Sequence, residues 1–216
     1  MSRLLVFGDS IAAGTNVPTG GWVQLLNKYC FEKRVAENVE GCTVYNLSVS
    51  GDTSRSLLKR IHNEIDARVW YSSGGKTEGI VVVVNVGVND SAFVIKDKDN
   101  WVPQIEFEAN TRKIIGEAIS LAERVFVLGI TGVDDSKVSP IPWAPELCYL
   151  TKYVRNYNDI LRNISAEEGV IFIDVFSKLS GPKWNKTISD GVHPNDEGHE
   201  LIYRIVHKYL KDSGVL

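Results

Sequence analysis

Five short runs rich in Val, Ile and Phe interrupt the chain: Leu4 to Phe7, Thr43 to Leu47, Ile80 to Val86, Val125 to Ile130 and Val170 to Ile173. Each is bounded by polar residues or glycine, the pattern of strands buried on both faces. Between them the apolar positions recur at helical spacing. Leu57, Leu58, Ile61 and Ile65 mark one helix; Ile114, Ile115, Ala118, Ile119 and Ala122 mark a second; Tyr153, Val154, Tyr157, Ile160, Leu161 and Ile164 mark a third. A fourth closes the chain through Leu201, Ile202, Ile205, Val206, Tyr209 and Leu210, and a helix from Gly21 to about Lys33 rests on Val23, Leu25 and Leu26. Strands alternating with helices imply right-handed crossovers and a parallel sheet covered on both faces. The expected fold class is therefore α/β, a three-layer α/β/α sandwich. No repeat, low-complexity tract or linker divides the chain, so residues 1–216 are read as a single domain.

Composition narrows the function classes. The chain has 216 residues, 44% hydrophobic and 24% charged, the profile of an ordinary globular protein. A net charge of -3 without a block of like charge argues against a nucleic-acid partner. The longest uninterrupted apolar run, Ile80 to Val84, is far short of a bilayer span, and Leu4 to Phe7 is too short for the core of a signal peptide. No integral membrane association and no export are expected. Cys30, Cys42 and Cys148 form no CxxC pair; they read as small packing residues and fit a reducing cytoplasm.

In open parallel sheets, ligands bind beyond the carboxyl ends of the strands. Gly8-Asp9-Ser10 follows the first run, Ser48-Val49-Ser50-Gly51-Asp52 the second and Gly87-Val88-Asn89-Asp90 the third. Ahead of the last helix, Asp190-Gly191-Val192-His193-Pro194 sets a carboxylate and an imidazole three residues apart. A serine hydroxyl is a poor nucleophile unless a histidine takes its proton, and the histidine needs a carboxylate to fix its tautomer. Ser10, His193 and Asp190 are candidates for those roles. The oxyanion formed on attack needs donors in place, which the Ser10 N–H, the Gly51 N–H and the Asn89 amide can supply.

These blocks resemble the SGNH hydrolases, also called GDSL-type esterases and lipases. Gly8-Asp9-Ser10-Ile11 is similar to the family's GDSL block with Ile in place of Leu, Gly51 to its oxyanion glycine, Gly87-Val88-Asn89-Asp90 to its GxND block and Asp190-Gly191-Val192-His193 to its DxxH block. The resemblance implies Ser10 as nucleophile, His193 as general base and then acid, Asp190 as the partner of His193, and Ser10, Gly51 and Asn89 as the oxyanion hole. It also implies a flavodoxin-like five-stranded parallel sheet in the order 2-1-3-4-5. The expected activity is hydrolysis of a small-molecule carboxylic ester with a small or medium acyl group, without metal or organic cofactor. Acyl transfer or thioester hydrolysis on the same site are the alternatives within the family, and a catalytically idle flavodoxin-like binding module the alternative outside it.

Other features read as structural. Gly75-Lys76-Thr77 echoes the end of a P-loop, but Trp70 stands where its first glycine belongs. His62, His199 and His207 read as solvated helix residues, and His199 with Asp196 or Glu197 meets no zinc ligand spacing. Asp9 and Asp90 are expected to hold loops by accepting from backbone N–H groups. Two long connections, 91–104 and 131–149, could wall a pocket, with Trp101 and Trp143 either lining it or anchoring the loops.

Overall fold

Strands that are apolar on both faces must lie inside a covered sheet, and the five apolar runs form one, buried in its inner strands and partly exposed at its two edges. The computed structural model describes residues 2–37, 41–69 and 79–216; the Gly75-Lys76-Thr77 tripeptide lies outside the described residues. The strands are β1 (Arg3–Gly8), β2 (Thr43–Asn46), β3 (Ile80–Asn85), β4 (Phe93–Val94), β5 (Asp99–Asn100), β6 (Arg124–Leu128), β7 (Leu147–Cys148) and β8 (Ile171–Ile173). The main sheet is five-stranded, in the order β2-β1-β3-β6-β8, with every neighbouring pair parallel. With the three two-residue strands set aside, this is the expected order 2-1-3-4-5. β1 and β3 pair along their whole length, from Arg3 opposite Ile80 to Gly8 opposite Asn85, and are buried throughout.

The helices are α1 (Ser10–Ala13), α2 (Gly21–Glu37), α3 (Ser54–Asp66), α4 (Gln104–Leu121), α5 (Thr151–Glu167), α6 (Pro182–Asn185) and α7 (Asp196–Asp212). α2 packs on α7, while α3, α4 and α5 pack in series, which makes the two outer layers. α2 runs a turn beyond the end expected near Lys33. Its buried stripe of Trp22, Val23, Leu26 and Cys30 stops early, and Phe31 and Val35 in the last turns are exposed, so no apolar period marks them. Ile119, expected on the buried stripe of α4, is half exposed beside the buried Ala118.

The two long connections are not separate flaps. β4, from the first, pairs antiparallel with β5 and also with β7, from the second, so the three form a small sheet of their own. A further backbone bond, Ile95 N–H to Glu146 O at 3.0 Å, joins the same two segments.

Candidate active site

The turn from β1 into α1 is tight. A Cβ on Gly8 would stand 2.5 Å from that of Ala12, so only glycine lets the strand and helix approach this closely. Asp9 caps α1, accepting from Ile11 N at 2.9 Å, the loop-holding role expected of it. Ser10 is the first residue of α1, where the backbone N–H has no intrahelical acceptor. The residue is buried, yet its side chain reaches the loop that precedes α7.

There Ser10 Oγ lies 2.8 Å from His193 Nε2, and His193 Nδ1 lies 2.7 Å from Asp190 Oδ2. The other carboxyl oxygen of Asp190 accepts from the backbone N–H groups of Val192 and His193, at 2.9 and 2.8 Å. Burial raises the Asp190 pKa, but the His193 hydrogen bond and those two N–H groups outweigh it and hold the carboxyl at about 2. An ionised Asp190 only accepts, so Nδ1 carries the hydrogen in the neutral imidazole and Nε2 is left to accept from the serine hydroxyl.

Gly51 and Asn89 reach the same place from the ends of β2 and β3. The loop after β2 is tied to the serine turn by Val49 N–H to Gly8 O at 2.9 Å, by Asn46 Nδ2 to Ala12 O at 2.9 Å and by Ser50 Oγ with Thr15 Oγ1 at 2.8 Å. Asn89 Nδ2 donates to Asp52 O at 2.8 Å, which fastens the end of β3 to that loop and leaves the second amide hydrogen uncommitted. Gly51 itself is exposed, and a Cβ there would meet nothing within 4 Å. Its φ of +84° is what calls for glycine. Asp90 is fully buried and accepts from Ser54 N, at the start of α3, at 2.9 and 3.1 Å; burial lifts its pKa to about 6 against those hydrogen bonds. Ser10, His193 and Asp190 are thus joined by hydrogen bonds, while Asn89 is fastened to the Gly51 loop through Asp52 O.

A family model of GDSL-like lipases and acylhydrolases matches residues 6–201. The chain belongs to the GDSL-like lipase/acylhydrolase family. Among its curated relatives are the esterase TesA of Pseudomonas aeruginosa, 26% identical over 88% of this chain and 79% of that protein. The isoamyl acetate-hydrolyzing esterase 1 homolog of Bos taurus is 25% identical over 93% and 78%. Among solved structures, a lipase/acylhydrolase from Enterococcus faecalis superposes with a TM-score of 0.73 at 21% identity, covering 99% of this chain and 97% of that one. An acetyl xylan esterase from Geobacillus stearothermophilus gives 0.70 at 20% identity, covering 99% and 95%. These last two are likenesses of fold. The GDSL-like enzyme is a carboxylic ester hydrolase, and among its described residues no helix is long and apolar enough to cross a membrane.

One side chain of this acylhydrolase bears on the site in a way the sequence did not announce. Tyr149, at the end of the second long connection, donates its hydroxyl to Asn89 Oδ1 at 2.7 Å. Trp143 is half exposed, its ring centroid 6.0 Å from that of His193, so of the two loop tryptophans this one faces the site. Trp101 is tied through its backbone instead, its carbonyl accepting from Arg55 at 3.0 Å. His199 corrects an expectation: it is fully buried, with Nδ1 accepting from Trp22 N at 3.3 Å, because the first turn of α7 packs onto the start of α2. His207 is likewise not solvated but half-buried between the rings of Tyr29 and Tyr203, while His62 is exposed and paired with Glu117.

Proposed function

We propose that this enzyme cleaves esters of small or medium acyl groups through Ser10, His193 and Asp190 by way of an acyl-enzyme. The observation that carries the reading is the unbroken hydrogen-bond chain from Ser10 Oγ through the imidazole to an ionised Asp190, at 2.8 and 2.7 Å. Ser10 Oγ forms a bond to the ester carbonyl carbon as its proton passes to His193 Nε2. Asp190 stabilises the imidazolium. The oxyanion is held by the N–H of Ser10, the N–H of Gly51 and the second N–H of Asn89. The bond to the alcohol oxygen then breaks, with His193 returning the proton to it. Water adds to the acyl-enzyme by the same route, its proton going to His193 and back to Ser10 as the acid leaves.

The half-exposed face of Trp143 beside His193 offers the substrate an apolar wall, which suits a small-molecule ester with a planar or apolar leaving group. A cytoplasmic setting fits the three free thiols. The test is hydrolysis of p-nitrophenyl acetate, butyrate and octanoate by wild type and Ser10→Ala at mildly alkaline pH. Loss of activity in the variant is expected, with the chain-length profile sizing the acyl site. Undiminished activity in Ser10→Ala would overturn the mechanism.

A further inference from the structure

Behind the serine turn, between the carboxyl ends of β1, β3 and β6, lies a cavity of about 10 Å³, the room of one water molecule. Its walls are apolar in part, including Ile130 and Ile202, but Asp9, Trp22, Asn85 and Thr131 also line it. Two of these bring buried polar atoms without a hydrogen-bond partner among the described residues: the indole Nε1 of Trp22 and the hydroxyl of Thr131. Their residues are 0% and 6% exposed, so neither group reaches bulk solvent. Asn85 Nδ2 makes only long contacts, 3.5 and 3.4 Å, to Leu128 O and Gly129 O. Asp9 is 2% exposed, and among the described residues its carboxylate has the Ile11 N–H as its hydrogen-bond partner. Buried carboxyl, indole and hydroxyl groups ordinarily find partners, since leaving one unpaired costs about 1–3 kcal/mol.

We propose that this cavity binds one water molecule, and that through it Trp22 and Thr131 hold Asp9, and with it the turn that carries Ser10; the positioning half rests on Ser10 being the nucleophile. The water accepts from the Trp22 N–H and pairs with the Thr131 hydroxyl and the Asp9 carboxyl. That gives it about three hydrogen bonds, the usual number for an enclosed water. Burial pushes the Asp9 pKa up to about 7 against the Ile11 N–H, as expected of a carboxyl short of partners. The consequence for chemistry is mechanical. Asp9 caps α1, whose first residue is Ser10, so whatever fixes the carboxyl also fixes the hydroxyl against His193 Nε2. Trp22, Thr131 and Asp9 are then positioning residues, each acting through the turn.

Two measurements test this. A high-resolution crystal structure is expected to show one ordered water within hydrogen-bond distance of Trp22 Nε1, Thr131 Oγ1 and the Asp9 carboxyl. A dry cavity would overturn the water site with the functional reading intact. In solution, Thr131→Val, which keeps the side-chain shape and removes the hydroxyl, is expected to slow both kcat and fluorophosphonate labelling of Ser10 by roughly tenfold, with KM unchanged. Thr131→Ser should restore both, and Trp22→Phe provides an independent second removal. A folded Thr131→Val protein with wild-type kcat and labelling rate would overturn the positioning role. Activity retained by Ser10→Ala would instead overturn the functional reading, leaving the water to be decided by the density.

Discussion

The hydroxyl of Tyr149 donates to Asn89 Oδ1 at 2.7 Å, across 60 residues of sequence, while Nδ2 of the same amide donates to Asp52 O at 2.8 Å. An amide clamped at both ends has a fixed orientation, so its remaining N–H points in one direction without the help of a substrate. Tyr149 is therefore one of the two groups that fix the Asn89 amide. Tyr149→Phe is expected to lower kcat about tenfold with KM little changed, less than the ~100-fold or greater cost of deleting an oxyanion donor outright. Steady-state kinetics on p-nitrophenyl acetate would show it, and an unchanged kcat would remove Tyr149 from the catalytic picture.

At Gly51 the space around a Cβ is open but φ is +84°, so the penalty of a side chain falls on the backbone alone. Roughly 1–2 kcal/mol is the ordinary size of that penalty. Because the loop is exposed, it can relax by rotating the peptide and taking the N–H away from the oxyanion. Gly51→Ala should thus lose kcat by roughly tenfold or more while Tm moves only a few degrees. Equal kcat in the two proteins would show that this N–H is not used.

His199 carries a pH dependence of stability. Burial is the main cause that lowers its pKa from 6.5 to about 4, only partly opposed by Asp196. The unfolded chain thus binds the proton more readily than the native one. The stabilisation is complete above pH 6.5 and is lost as pH falls from 6.5 towards 4, on the order of 3 kcal/mol across the window. Asp9 and Asp90, with raised values of about 7 and 6, act in the opposite sense: their contribution is lost as pH rises through those values. The readout is therefore the difference between wild type and His199→Asn in urea denaturation. Wild type is expected to lose more stability than the variant, which retains an acceptor for Trp22 N, as pH falls from 6.5 towards 4. Parallel stability curves for the two proteins would refute the assignment.

Trp143 stands half exposed with its ring centroid 6.0 Å from that of His193. If its face receives the leaving group, Trp143→Ala should raise KM for aryl acetates about fivefold and leave KM for ethyl acetate nearly unchanged, with kcat preserved in both cases. A uniform effect on the two substrates would assign Trp143 to holding its loop instead.

Much of the fold was legible because its signals are local. A strand buried on both faces is a continuous apolar run, and a helix against a sheet is an apolar stripe at 3.6 spacing, so β1, β2, β3, β6, β8 and helices α3, α4, α5 and α7 could each be read from a few neighbouring residues. The candidate chemistry was legible for the same reason. Crossovers in a parallel sheet bring all strand ends to one edge, and Ser10, Gly51 and Asn89 each follow a run directly. His193 and Asp190 sit on one loop with the spacing their pairing needs. The sequence by itself therefore determined the layers, the edge that carries the candidate site and the residue types found there. The tertiary structure alone decided which groups support them. The Tyr149 to Asn89 bond, the pairing of β4 with β7, the Asp90 carboxylate on Ser54 N and the burial of His199 against Trp22 join residues far apart in the chain. A hydrogen bond or a buried ring leaves no period in the residues around it. Such contacts exist only once the sheet has brought distant loops within about 3 Å of one another.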